Sequence, residues 1–189
     1  MTKRTRWSAN KAMIVLGAAC AGAVWAGDWT DPVAVTHELK PCVTYRARLS
    51  GSYLIVQARH ETGWHTYAMD NKQRADEKLA GRQSLGIDRP TEIKLSEGLE
   101  IAGPWHQSPP KDLSKPEIRW YTWGFEDQIL FVAKVRQSGA GPAKIGLRGQ
   151  ACTETTCKNI DVEIAVPLAG FNKETEPSDI EFKGLVQVR

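Results

Sequence analysis

The chain has 189 residues and a formal net charge of +3, and a quarter of its residues are charged. Four of its 25 basic residues lie in positions 1–26, which contain no acid, so the remaining 163 residues carry 21 basic against 22 acidic side chains, a net charge of −1. That balance favours neither nucleic acid nor an anionic membrane surface as a partner, and 163 residues suffice for one domain with its own core.

The first 26 residues have the pattern of a secretory signal peptide. A basic start is followed by an apolar run from Ala12 to Trp25, and Val24-Trp25-Ala26 fits the small-residue pattern before a cleavage point. We therefore predict a signal peptide at 1–26 and a single mature domain at 27–189. The mature protein is expected in the periplasm or outside the cell.

A lipid anchor at Cys20 is the alternative fate of this N-terminus. Gly17 stands three places before Cys20, where lipoprotein signals carry a large apolar residue, so lipidation is the less favoured reading. No second stretch approaches the ~20 apolar residues of a transmembrane helix, and no membrane span is expected in the mature chain.

Strand-like alternation dominates the mature chain. In Val43–Leu49 successive residues face opposite sides, and Leu49–Ser52 predicts a turn into a partner strand at Tyr53–Arg59. Further strand-like runs are Trp64–Ala68, Thr91–Leu95, Ile118–Trp123, Gln128–Arg136, Lys144–Gly149, Asn159–Val166 and Ile180–Val188. Many short strands without alternating helices predict an all-β antiparallel sandwich. The only helical pattern, Asn71–Gly81, has too few apolar residues for a core helix, which predicts a short surface insertion.

Two cysteines five positions apart, Cys152 and Cys157, carry the main functional signal. On one straight strand they would face opposite sides, but they can meet if Thr153–Thr156 makes a turn between two strands. Closing so short a loop removes only about 2 kcal/mol of unfolded-chain entropy. In a chain that can build its own core, such a bridge is better explained by chemistry, so we interpret the pair as a redox couple at an accessible tip.

Three other interpretations of the cysteines remain open at this point. One is a structural hairpin disulfide, which is common in exported proteins, and another is a pair of small buried residues without a chemical role. A metal site would need a histidine as well, but His60 and His65 are themselves five apart and no fourth ligand is evident. We expect neither a metal nor a cofactor. Cys42, which leads into a strand, suits a buried lone thiol.

Four segments in sequence order resemble a known family. They are Gly63–Tyr67, Lys94–Pro104 with the sequence KLSEGLEIAGP, Trp120–Val135, and the cysteine hairpin that ends in Val166-Pro167-Leu168. Over roughly Leu39–Leu168 the chain is similar to the N-terminal periplasmic domain of the thiol:disulfide interchange protein DsbD. The resemblance implies an immunoglobulin-like sandwich whose cysteine pair relays electrons from a membrane partner to periplasmic thiol proteins.

The resemblance also implies roles for single residues. Cys152 and Cys157 would be the catalytic disulfide pair, with the family pattern slightly favouring Cys157 as the attacking cysteine. Trp105, in the loop Gly103–Lys111, would cover the disulfide. The family covers its sulfurs with an aromatic residue from such a loop, and this residue moves when a partner docks.

His65 and Tyr67 are implied as modulators of the cysteines. They share one strand face, and an imidazolium at His65 would stabilise a nearby thiolate. The segment Lys158–Ile160 departs from the family, which often has a proline pair there.

The predicted function is thiol–disulfide exchange with separate redox proteins, namely a thioredoxin-like or membrane reductant and periplasmic acceptors. Whether this amounts to an oxidoreductase-type enzymatic activity is left open by the sequence. The alternative is a non-catalytic binding module, in which tryptophans hold a carbohydrate or a peptide and the disulfide is fixed.

Overall fold

The structure is a computed structural model that describes residues 28–82, 88–169, 171 and 184–189. The predicted signal peptide at 1–26 and the lipidation question at Cys20 lie outside these residues, so both stay predictions. Within the described ranges, no helix has the length and apolar character needed to cross a membrane.

Two antiparallel sheets form the fold. The first sheet has the strand order β1-β2-β3-β9-β6-β12, and the second has the order β11-β10-β4-β8-β7 with β5 also paired to β10. The strands are β1 Val33–His37, β2 Lys40–Ser50, β3 Tyr53–His60, β4 His65–Tyr67, β5 Glu92–Ser96, β6 Leu99–Gln107, β7 Lys111–Asp112, β8 Trp123–Phe125, β9 Gln128–Gln137, β10 Ala143–Cys152, β11 Cys157–Val166 and β12 Val186–Gln187. The fold is the predicted all-β, immunoglobulin-like antiparallel sandwich.

The core lies between the two sheets and is built by alternation along each strand. Tyr45 and Phe131 from the first sheet meet Phe125 and Leu147 from the second, and all four are essentially buried. The rings of Phe125 and Phe131 make an edge-to-face contact with centroids 5.6 Å apart. Each such side chain stabilises the fold by about 1.5–3 kcal/mol through burial alone, so the sandwich has no need of a disulfide as its main support.

Most predicted strands are present, but one is wrong. In the predicted strand Ile118–Trp123, Ile118 ends a short 3-10 helix at Pro116–Ile118, and Arg119 has a positive φ of 55°. A left-handed residue interrupts the alternation of a strand, so β8 begins only at Trp123. Of the predicted strand 180–188, residues 180–183 lie outside the described part, and β12 covers Val186–Gln187.

The predicted helix α1 spans Asn71–Leu79 and is attached mainly through polar groups. The Asn71 side-chain oxygen accepts hydrogen bonds from the Trp123 backbone N–H at 2.7 Å and from the Thr122 hydroxyl at 3.2 Å. Asp70, directly before the helix, accepts a bond of 2.8 Å from the Gln107 amide. The insertion is therefore fixed to both β6 and β8, although its surface is largely polar.

Candidate functional site

The cysteine pair closes the hairpin of β10 and β11. Cys152 and Cys157 are the final register pair of the ladder, their Cα atoms are 4.1 Å apart, and their sulfurs are bonded. The predicted turn is present: the Thr153 N–H donates to the Thr156 carbonyl at 2.8 Å. The Thr153 hydroxyl accepts from the Thr156 N–H at 3.1 Å, a local bond that suits threonine to this turn.

The two cysteines differ in exposure although they share one face. Ile145, Leu147 and Ala151 of β10 point into the core, so Cys152 points to the outer face of the second sheet. Cys152 is nevertheless only 1% exposed, whereas Cys157 on the edge strand β11 is exposed. An incoming thiolate can therefore reach the Cys157 side of the bond far more readily than the Cys152 side.

Strand β4 brings His65 and Tyr67 to the disulfide. His65 lies directly opposite Cys152 in the ladder between β4 and β10, so the two side chains project from the same face. The His65 Nε2 atom is 3.3 Å from the Tyr67 hydroxyl, and the two rings meet edge to face. Four of the five predicted site residues thus lie together.

Asp88 and Trp120 extend this group, although no local pattern in the sequence places either of them at the site. The Trp120 Nε1–H donates to the Asp88 carboxylate at 2.6 Å, and the same carboxylate lies close enough to the Tyr67 hydroxyl to raise its pKa. Lys115 lies over the Trp120 ring, 5.4 Å from its centroid. A chain of polar contacts therefore runs from Trp120 through Asp88 and Tyr67 to the residue opposite Cys152.

Burial sets the protonation states of the two ring residues on β4. Burial lowers the pKa of His65, and the charges of Glu126 and Asp88 offset this shift only partly. Burial also raises the pKa of Tyr67, and the neighbouring Asp88 carboxylate raises it further. Burial therefore favours a neutral His65 ring and a protonated Tyr67 hydroxyl, which disfavours a resting imidazolium beside the cysteines.

Trp105 does not lie at the disulfide, which corrects the predicted shield. Residues 103–107 belong to strand β6 rather than to a loop, and Trp105 pairs with Ala133 in the first sheet. Its side chain packs against the core between the sheets, whereas the cysteines point outward from the second sheet. A register shift between Ile101 and Trp105 accommodates Pro104, which lacks a backbone N–H.

The remaining histidine and cysteine of the earlier alternatives are buried elsewhere. His60 Nδ1 donates to the Asp127 carbonyl at 2.7 Å, and its Nε2 is 2.8 Å from the Thr66 hydroxyl. Cys42 is fully buried, and burial raises the pKa of its thiol. Among the described residues, no group of three or more His, Cys, Asp or Glu side chains is placed to hold a metal ion.

Among known proteins, the chain is similar only to solved structures in the comparisons made. No protein-family model matches the chain, and no similar sequence was found among curated proteins. The DsbD N-terminal domain of Neisseria meningitidis in its reduced form is 13% identical with a TM-score of 0.47, over 80% of this chain and 96% of that domain.

Two further structures show similar values. A complex between the DsbD N-terminal and PilB N-terminal domains of Neisseria meningitidis contains a chain that is 14% identical with a TM-score of 0.43, over 75% of this chain and 95% of that chain. The GAE domain of GGA2p from Saccharomyces cerevisiae is 8% identical with a TM-score of 0.37, over 72% of this chain and 97% of that domain. Identities this low do not say which residues act, so the site is assigned from this chain's own cysteine pair.

Proposed function

We propose that this protein exchanges thiols and disulfides with other proteins through Cys152 and Cys157. One observation carries the proposal: a bridge at the end of a hairpin has one exposed cysteine and one buried cysteine. Exchange uses that asymmetry, because one sulfur must react with the partner while the other stays next to it to resolve the mixed disulfide. A purely structural bridge has no such requirement.

The reaction that this geometry supports has two displacement steps. In the reduced protein the Cys157 thiolate attacks a partner disulfide, which forms a mixed disulfide and expels one partner thiolate. The Cys152 sulfur then attacks the Cys157 sulfur, which forms the 152–157 bridge and expels the second partner thiolate. Two electrons pass to the partner, and the protein's dithiol is oxidised.

The partners that we propose are separate redox proteins in an exported compartment, where disulfides persist. A reductant with a thioredoxin-like or membrane-bound dithiol would reduce the 152–157 bridge, and thiol proteins of the same compartment would receive the electrons. The exposed position of Cys157 on an edge strand supports access by a partner protein.

A redox titration tests the proposal. The oxidised protein is equilibrated with reduced thioredoxin and with dithiothreitol buffers, and the free thiols are counted by mass spectrometry after alkylation. We expect the bridge to open at a potential above about −300 mV, the level below which structural disulfides usually lie. A Cys42→Ala variant removes the third thiol, so that every alkylated cysteine among the described residues comes from the bridge. If the bridge resists thioredoxin-strength reductant, the function fails, and the binding-module alternative takes its place.

A further inference from the structure

The second displacement step requires a base, and the contacts around Cys152 identify one. Cys152 is buried, so its thiol loses a proton to water less readily than an exposed thiol does. Yet this sulfur must attack as a thiolate. His65 is directly opposite Cys152 in the ladder, so its imidazole is a base on the same face of the sheet as the Cys152 sulfur.

The hydrogen bonds decide which nitrogen of His65 is free to act. The Tyr67 hydroxyl has one proton, and the neighbouring Asp88 carboxylate can only accept a hydrogen bond when it is ionised, which favours directing that proton towards Asp88. The hydroxyl oxygen must then accept at its contact of 3.3 Å with His65, so Nε2 carries the imidazole proton. In the neutral ring Nδ1 is therefore the acceptor, and no described group donates a hydrogen bond to it.

We propose that Asp88, anchored by Trp120, is a positioning residue that fixes the tautomer of His65 through Tyr67, so that His65 Nδ1 takes the Cys152 proton in the second displacement. This inference rests on the proposed function and deepens it. The Cys152 proton moves to Nδ1, the Cys152 sulfur bonds to the Cys157 sulfur, and the Cys157–partner bond breaks. The imidazolium then passes its proton to the departing thiolate or to water, which restores the neutral ring.

The titratable groups around His65 shift its pKa in both directions. From the packed elements they are Tyr67 on β4, Asp88 before β5, Lys115 before β8, Glu126 between β8 and β9, and His60 on β3. Because burial outweighs the two carboxylates, the ring stays neutral at pH 7 and can accept a proton. The same carboxylates stabilise the imidazolium once it forms.

The test separates the two chemical steps. The reduced protein is mixed with glutathione disulfide, quenched with acid at set times and analysed by intact-mass spectrometry, which distinguishes dithiol, glutathione adduct and internal disulfide. We expect little adduct in the parent protein. In H65Q and D88N the adduct should accumulate, because resolution slows at least about tenfold while adduct formation keeps its rate. Tyr67→Phe should also slow resolution, since it removes the link between Asp88 and His65.

The pH profile distinguishes proton transfer from a structural effect. With His65 as base, resolution in the parent protein should stay flat from pH 7 until the thiol itself ionises. In H65Q the resolution rate should rise about tenfold per pH unit, so that the two proteins converge in alkaline solution. The control is Tyr45→Phe, which removes a buried hydroxyl without a hydrogen-bond partner in the core, far from the cysteines' outer face.

The two levels of the proposal fail in different ways. If the reduced protein forms neither a glutathione adduct at Cys157 nor the internal disulfide, the proposed exchange function fails. If adduct forms but H65Q and D88N resolve it with the parent rate and pH profile, the proton-acceptor role is overturned and the exchange function stands. If a variant is slow at every pH, the role of its residue is structural, which also overturns the inference.

Discussion

His60 and Thr66 are joined by a buried hydrogen bond of 2.8 Å that crosses from the first sheet to the second. His60 ends β3. Thr66 lies in β4, opposite Ala151 and next to His65, which is opposite Cys152. Because the His60 Nδ1–H donates to the Asp127 carbonyl, Nε2 accepts from the Thr66 hydroxyl. This bond ties the strand that carries His65 to the opposite sheet.

Acid should weaken the fold through His60. Burial lowers the pKa of His60, so the unfolded chain binds this proton more readily than the folded protein does. Its contribution to stability is fully present above the unfolded pKa of about 6.5 and is lost as pH falls from there through the lower folded pKa. Measured by urea unfolding, the free energy of unfolding should decrease between pH 7.5 and pH 5, and this decrease should be smaller in H60Q than in the parent protein. His65 acts in the same sense, so H60Q should remove only part of the decrease; an unchanged slope would contradict the assignment.

The reduced protein should be alkylated first at Cys157. This residue is exposed, whereas Cys152 is 1% exposed and Cys42 is fully buried. Brief treatment with iodoacetamide followed by peptide mass spectrometry should give a labelling rate at Cys157 at least about tenfold above that of either other cysteine. Faster labelling of Cys152 would reverse the assigned order of attack.

Cys42 should be dispensable for exchange. It lies in the core on β2, where burial raises the pKa of its thiol and keeps it unreactive. Cys42→Ala removes buried volume and should lower the free energy of unfolding by about 1–2 kcal/mol. Its rate of reaction with glutathione disulfide should equal that of the parent protein. A loss of exchange in this variant would assign the third cysteine a chemical role.

The sequence was sufficient to predict the sandwich and the cysteine hairpin because both depend on local signals. Alternation in Val43–Leu49 and the polar turn Thr153–Thr156 each determine their structure within a few residues. Trp105 illustrates the limit of such signals. Gly103 and Pro104 suggest a loop, but pairing with β9 and a register shift keep this segment in a strand.

Asp88 and Trp120 could not have been found from the sequence. They lie 32 residues apart and meet only because the segment before β5 and the segment before β8 fold against each other. Likewise, no local pattern says that Cys152 is buried on an outward face, since its burial depends on neighbours from other strands. Long-range contacts therefore decide which predicted residues belong to the site.

The buried carboxylate of Asp70 should make the fold acid-sensitive below the range in which histidines titrate. Burial opposes ionisation, but the hydrogen bonds from Arg74 and Gln107 outweigh it and lower the pKa of Asp70. Its contribution is thus present above the unfolded pKa and lost as pH falls through the folded value. D70N leaves Arg74 without its partner and should cost about 2–4 kcal/mol at pH 7. The variant's stability should also change less than that of the parent between pH 5 and 3, as measured by urea unfolding.

Two glycines of the second sheet form a matched pair for the packing beside the site. A Cβ atom on Gly124 would clash with the Thr66 carbonyl oxygen and lie 2.8 Å from a Leu113 methyl carbon, both closer than van der Waals contact allows. One on Gly146 would have its nearest neighbour at 3.9 Å, an ordinary contact. Gly124→Ala should therefore push β8 away from β4 and cost about 1–3 kcal/mol, while Gly146→Ala should be nearly neutral. Because Gly124 is opposite Tyr67, G124A should also slow resolution of the glutathione adduct. Equal melting temperatures for the two variants would show that β8 can shift freely and would remove the basis for a rigid Tyr67.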